Sequence, residues 1–174
     1  RKAGGGLLSK KISLGADGRV VSDGSPCRMW AGTATRVTVA NITECAERIN
    51  GMEGCEALIL GDHIAEAETI RLVKDAKADP AKGIYGRTTK TFRYPEGQPG
   101  LILLDHDKKG MPEAVAARVD ELGGPLGAIG HLLGGLEQFA RVYRPSTSTG
   151  IYDKETGEKF PAGGGCHVYL IAAD

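Results

Sequence analysis

The chain has 174 residues, with 22 basic and 22 acidic side chains and a formal net charge of zero. Its 41% hydrophobic and 25% charged residues are ordinary for a globular protein. No apolar run approaches the length of a membrane span, so no membrane partner is expected. A neutral chain gives no support for nucleic-acid binding, although catalytic carboxylates can offset a basic groove.

The four cysteines show no C-x-x-C spacing, which argues against a zinc site. Cys45 and Cys55 occupy predicted core positions. We therefore expect free thiols and a reducing cytoplasm rather than a disulfide framework.

The first part of the chain predicts a hairpin, an extended segment and a helix. Residues 10–22 carry apolar residues on both sides of a glycine-bounded turn, which is typical of a β-hairpin. Residues 28–39 predict a second extended region. Asn41 followed by Glu44 is a capping-box arrangement, and it begins a predicted helix that ends near Gly51.

The middle of the chain predicts a strand, a helix and an irregular extended segment. Residues 57–60 are a short apolar run typical of a buried strand. Weak helical periodicity over residues 64–73 predicts a helix that ends before Pro80. Residues 84–94 mix threonine, arginine and aromatic residues and predict extended structure.

The second half predicts further strands separated by helical segments. Residues 101–107 predict a buried strand with acidic residues at its end, and Pro112 suits the start of a helix. Residues 126–136 are apolar but glycine-rich, so no state is predicted there. Strands are predicted at 140–143 and 168–171. The alternation predicts an α+β fold with a mixed, largely antiparallel sheet and packed helices.

Two carboxylates stand one residue apart where the apolar run of residues 101–104 ends. Residues i and i+2 of a strand share a face, so Asp105 and Asp107 should point together. His106 should point to the opposite face, as a structural residue hydrogen-bonded below the site. Paired carboxylates favour Mg²⁺ or Mn²⁺, the metals of phosphoryl and nucleotidyl transfer. The alternative is a buried strand that enters a polar turn capped by Asp107.

A second cluster, residues 141–150, ends a strand in a run of hydroxyls beside two arginines. Hydroxyls, backbone amides and guanidinium groups in one loop suit phosphate oxygens. The alternative is a polar turn whose serines and threonines bond their own backbone.

A third cluster places His167 at the start of an apolar strand, after the three glycines 163–165. Glycines let a backbone approach a ligand, and the strand would hold the histidine rigidly. Residues 153–157 predict a hairpin turn before this cluster, so Ser148 and His167 are expected on adjacent strands. A purely structural histidine is the alternative.

Together these clusters resemble the primase-polymerase domain of the archaeo-eukaryotic primase superfamily, in its phage and integrated-element form. Asp105-His106-Asp107 is similar to that superfamily's first motif, and Gly165-Cys166-His167 is similar to its second. Residues 144–150 resemble the serine-rich turn that precedes the histidine, and residues 87–92 resemble a segment before the first motif. The resemblance covers residues 84–174.

The resemblance implies an RRM-like catalytic core and metal-dependent nucleotidyl transfer, as DNA primase or polymerase in the replication of a mobile element. It implies that Asp105 and Asp107 hold Mg²⁺ or Mn²⁺ in a two-metal site. His167 would contact the triphosphate of the incoming nucleotide. The weaker candidates for phosphate or template contact are Arg144, Ser146 and Ser148.

The implied partners are a DNA template and primer, nucleoside triphosphates and, as in larger family members, a helicase domain of the same polypeptide. Residues 1–80 would be an α/β module completing the core, and residues 81–174 the catalytic module. The family's third acidic motif lies well beyond the histidine. Asp174 would be roughly 20 Å from the site along the His167 strand. We therefore expect the third carboxylate to lie beyond residue 174, which leaves the activity of this stretch alone open.

Two other functions stay open. Phosphatases of the haloacid-dehalogenase type also carry an apolar strand ending in Asp-x-Asp, and Asp105 would then be a covalent nucleophile. Lys109, however, stands where those enzymes usually carry threonine or valine. The non-enzymatic alternative is a DNA-binding replication initiator that keeps the primase fold without its activity.

Overall fold

The computed structural model describes residues 1–108, 110–160 and 165–172. Its strands are β1 Lys11–Leu14, β2 Val20–Asp23, β3 Gly32–Thr35, β4 Asp62–His63, β5 Thr69–Val73, β6 Ile84–Gly86, β7 Phe92–Arg93, β8 Gly100–His106, β9 Val142–Pro145 and β10 Cys166–Ala172. Its α-helices are α1 Ile42–Asn50, α2 Glu113–Glu121 and α3 Pro125–Leu132. The predicted α+β class with largely antiparallel pairing is confirmed.

The chain divides into two compact units. The first comprises Arg1–Lys11, Asp23–Ile102 and Ile171–Asp174, and the second comprises Ile12–Ser22 and Leu103–Leu170. Every candidate site residue belongs to the second unit. The predicted division into a module of residues 1–80 and a catalytic module of residues 81–174 stays a prediction. No helix in the described ranges is both long and apolar enough to cross a bilayer.

The first unit is built on a three-stranded sheet in the order β3-β5-β6. Strand β3 is antiparallel to β5, and β6 is parallel to it. Buried side chains alternate with exposed ones along β3 and β5, as expected for a sheet with one covered face. The core of this unit consists of Ala34, Ile70 and Leu72, with Met29, Ile59, Ala65, Tyr85 and Phe92 packed against it.

Two predictions for this unit are wrong. Residues 57–60 form no strand, and the helix predicted over residues 64–73 is replaced by strand β5. Ile70 and Leu72 are both buried, whereas their strand neighbours Thr69 and Arg71 are exposed. This two-residue period, together with the β-branched side chains of the segment, outweighs a weak helical spacing.

The predicted start and end of α1 are confirmed. The Asn41 side chain accepts a hydrogen bond from the Glu44 backbone N–H at 3.0 Å, and the Glu44 carboxylate accepts one from the Ala40 N–H at 2.8 Å. The helix ends at Asn50, and the following Gly51 caps it with an N–H that donates to the Glu47 carbonyl. These bonds satisfy backbone groups that a helix end otherwise leaves unpaired.

Other local predictions also hold. Strands β1 and β2 form the expected hairpin, closed by a 2.8 Å bond from the Gly15 N–H to the Arg19 carbonyl. All four cysteines are free, and Cys45 and Cys55 are buried as expected.

The second unit is built on a sheet in the order β8-β10-β9. One face of this sheet is its core, where Cys166, Val168 and Leu170 are buried. Their apolar cover consists of Leu104 from β8, Leu126 and Ile129 from α3, and Leu136. The glycine-rich segment 126–136 therefore begins as a helix that covers the sheet.

Helix α2 differs in part from its prediction. Pro112 is the residue before the helix rather than its first residue. The predicted buried stripe is wrong for Val115, which is exposed, whereas Val119 and Leu122, directly after the helix, are half-buried.

Leu170→Ala should lower the free energy of unfolding by about 2–5 kcal/mol, because it leaves a cavity beneath β10. Leu170 is 7% exposed, and the matched control Leu132→Ala removes the same atoms at a position that is 78% exposed. The control should change stability by no more than about 0.5 kcal/mol. Urea denaturation of both variants measures the difference, and equal losses would contradict this core.

Candidate metal and nucleotide site

The acidic pair lies where strand β8 ends. Asp105 is the next-to-last residue of β8, and Asp107 follows the strand directly. Both are exposed, whereas Leu104 packs into the core of the second unit. Because neighbouring strand residues point to opposite faces, Asp105 projects from the face of the sheet opposite that core. We call this side of β8, β10 and β9, opposite the core, the open face.

His167 also lies on the open face. Its strand neighbours Cys166 and Val168 are both buried in the core, so its own side chain projects to the other side. The imidazole Nε2 lies 3.4 Å from Asp105 Oδ1, and the histidine side chain remains 39% exposed. The structure therefore brings the first and second motif segments together across neighbouring strands.

Arg144 completes a charged row across the three strands. Strand β9 is antiparallel to β10, and Arg144 lies directly opposite His167. Directly opposite residues share a face with their Cβ atoms about 5 Å apart. The open face thus carries, strand by strand, an arginine, a histidine and an aspartate. The expectation that Ser148 faces His167 is wrong, because Ser148 lies in the turn after β9.

The serine-rich turn is closed on the start of β10. The Gly165 carbonyl accepts hydrogen bonds from the Ser146 N–H at 2.9 Å and from the Thr149 hydroxyl at 3.0 Å. The hydroxyls of Ser146 and Ser148 bond each other at 2.9 Å. These hydrogen bonds are the ones expected for the polar-turn alternative. A phosphate that binds here would have to replace the hydrogen bond between the two hydroxyls.

Gly165 holds three chain segments together. A Cβ atom at this position would lie 3.0 Å from the His106 carbonyl oxygen and 3.4 Å from Ser146 Cβ. The end of β8 and the serine-rich turn therefore both approach the backbone where a side chain would stand. The sequence predicted that the glycines at 163–165 let the backbone approach a ligand. At Gly165, the groups that come close belong to the protein itself. Gly163 and Gly164 lie outside the described residues.

His106 departs from its prediction in one respect. Its side chain is on the side of β8 opposite Asp105, as expected, but Nε2 is buried without a hydrogen-bond partner among the described residues. The predicted hydrogen bond below the site is therefore not found. Leu104, two residues earlier on the same side of β8, packs into an apolar core. That face consequently offers His106 an apolar environment.

The predicted hairpin turn between the second and third clusters is confirmed. Tyr152 and Lys159 form a bridge, and the Asp153 carboxylate accepts backbone N–H bonds from Glu155 at 2.7 Å and Thr156 at 2.9 Å. These bonds stabilise the ionised form and lower the pKa of Asp153. The carboxylate that fixes this turn is thus a structural one.

The donor set at the end of β8 fits a hard divalent cation. The Asp105 side chain is 64% exposed, so its oxygens are accessible. Mg²⁺ retains several waters and is usually held by one or two carboxylates together with substrate phosphates. Within the described ranges, no group of three or more histidine, cysteine or acidic side chains could hold an ion alone. By the ligand preference of Mg²⁺, the pair would suit a cation that is shared with a phosphate ligand.

Lys108 directly follows the acidic pair. Lys108 is engaged by Asp120, with Nζ 2.9 Å from the carboxylate. Lys109, which bears on the phosphatase alternative, and Asp174, the acid at the end of the sequence, lie outside the described residues.

Comparison with protein-family models, curated proteins and solved structures finds no match to this chain. The assignment of a function therefore depends on the residues and geometry of the site.

Gly165→Ala should destabilise the second unit by about 1–3 kcal/mol, because the new methyl group displaces the His106 carbonyl or Ser146. The matched control is Gly134→Ala, since a Cβ at Gly134 meets no atom within 4 Å. Thermal unfolding of the two variants measures the effect. Equal midpoints would contradict the close approach at Gly165.

Proposed function

We propose that this chain is a metal-dependent nucleotidyltransferase domain of the primase-polymerase type, acting on DNA. The observation that carries the proposal is the 3.4 Å approach of His167 to Asp105 on neighbouring strands. The serine-rich turn is bonded to Gly165, two residues before that histidine. Three segments that resemble a nucleotidyl-transfer site in sequence are therefore neighbours in the second unit.

The acidic pair supplies the metal-binding side of the proposed site. Asp105 and Asp107 would hold Mg²⁺ or Mn²⁺, which activates a 3′-hydroxyl and neutralises charge on the leaving pyrophosphate in this chemistry. Exposure of both carboxylates leaves room for a phosphate ligand beside them. The carboxylates themselves repel a triphosphate until a cation is present, so nucleotide binding should depend on metal.

His167 and Arg144 supply the phosphate-binding side. A guanidinium group donates several N–H bonds to phosphate oxygens, and an imidazole donates one from either nitrogen. Their directly opposed positions on β9 and β10 place both donors on the open face. In the structure, His167 Nε2 faces Asp105. Phosphate binding would therefore redirect an imidazole that is already held beside the acidic pair.

Asp105→Asn and Asp107→Asn should each weaken Mn²⁺ binding at least tenfold, because each removes a charged oxygen donor. Asp153→Asn is the matched control, since that carboxylate fixes a turn and belongs to no motif. Calorimetric titration of Mn²⁺ into the three variants gives the affinities, and circular dichroism checks folding. Wild-type affinity in either site variant would remove the metal assignment.

Titration of a nucleoside triphosphate with and without Mn²⁺ tests the function itself. We expect binding that requires Mn²⁺ and that His167→Ala weakens. Binding to a primer-template without nucleotide binding would instead indicate the inactive replication-initiator alternative. Beryllofluoride binding that requires Asp105 would indicate the phosphatase alternative.

A further inference from the structure

The open face carries a second row of side chains next to the charged one. Tyr169 follows His167 by two residues on β10, and Val142 lies directly opposite Tyr169 on β9. The Tyr169 ring meets the His167 ring edge to face, with centroids 6.4 Å apart and planes at 73°. An aromatic ring therefore lies beside the proposed phosphate-binding histidine, on the same side of the sheet.

Strand β8 extends this second row. His167 approaches Asp105, and Gly165 approaches His106, so residue numbers run in opposite directions along β10 and β8. Moving from His167 to Tyr169 therefore leads from Asp105 toward Leu103. Leu103 lies two residues before Asp105 and so shares its face. The second row consists of the half-buried side chains Val142, Tyr169 and Leu103.

The two rows together match the distribution of charged and apolar groups along a nucleotide. One row carries charge and hydrogen-bond donors, and the other carries an aromatic ring between two aliphatic side chains. Two residues along a strand span about 7 Å, which is similar to the separation of a nucleotide's α-phosphate from its base. Aromatic side chains bind nucleobases by stacking, with little preference among them, because every base has a π-face.

We propose that Tyr169, flanked by Val142 and Leu103, is the platform for the base of the nucleotide whose phosphates contact His167. This inference rests on the proposed function and names a part of the ligand that the sequence motifs do not address. Stacking would make the site tolerant of base identity, as synthesis on a template requires of the incoming nucleotide.

The test compares two ligands that share the phosphate chain, ATP and inorganic triphosphate, both titrated with Mn²⁺. Tyr169→Leu should weaken ATP binding at least fivefold and leave triphosphate binding unchanged. Tyr169→Phe keeps the ring and should bind ATP as the wild type does. Tyr152→Leu is the control, since Tyr152 is an exposed tyrosine of the hairpin before β10.

Each contrary outcome points to a different failure. Equal loss of ATP and triphosphate binding in Tyr169→Leu would show that Tyr169 only positions His167, and would overturn the platform. Unchanged ATP binding in that variant would overturn it as well. Wild-type protein that binds ATP no better than triphosphate would refute the platform and leave the proposed function standing. Wild-type protein that binds neither ligand would refute both.

Discussion

The arrangement of the candidate site depends on one close backbone contact, at Gly165. The end of β8 and the serine-rich turn both approach this residue, and no side chain could stand there without displacing one of them. The constraint is one of space, because a Cβ atom at this position would lie 3.0 Å from the His106 carbonyl oxygen. Since His167 follows two residues later, the contact also fixes where the histidine meets Asp105.

The two faces of the β8-β10-β9 sheet differ in their side chains. Cys166, Val168 and Leu170 are buried and packed beneath α3, so β10 is anchored through one face. Burial of aliphatic side chains such as Val168 and Leu170 contributes on the order of 1.5–3 kcal/mol each. The other face is then free to present charged groups at defined positions. The histidine and the carboxylate thus lie side by side before a ligand binds, and phosphate binding would require only a change in the direction of the imidazole.

Local structure was predicted correctly where it depends on a single strand or a single helix end. The period of two placed Asp105 opposite Leu104, and the Asn41 cap marked the start of α1. The predictions were wrong where contacts with residues distant in the chain determine the secondary structure. Strand β5 is fixed by antiparallel pairing with β3 and by burial of Ile70 and Leu72, which a weak local period did not reveal.

The composition of the site was predictable only in part, because it depends on which strands pair and in which register. The motifs named His167 and Arg144 separately, but their opposition is a matter of register between β9 and β10. The spatial role of Gly165 and the position of Tyr169 beside His167 likewise follow from strand pairing. No residue spacing in the sequence encodes which strands become neighbours, so these features required the fold.

In the proposed function, the three motif segments form one site for a metal and a nucleotide. Paramagnetic broadening of amide NMR signals by Mn²⁺ in the presence of a nucleoside triphosphate tests it directly, because broadening falls steeply with distance from the ion. The amide signals of residues 105–107, 144, 146–148 and 166–167 should broaden together at low Mn²⁺. Broadening confined to residues 105–107, or centred elsewhere in the chain, would contradict it.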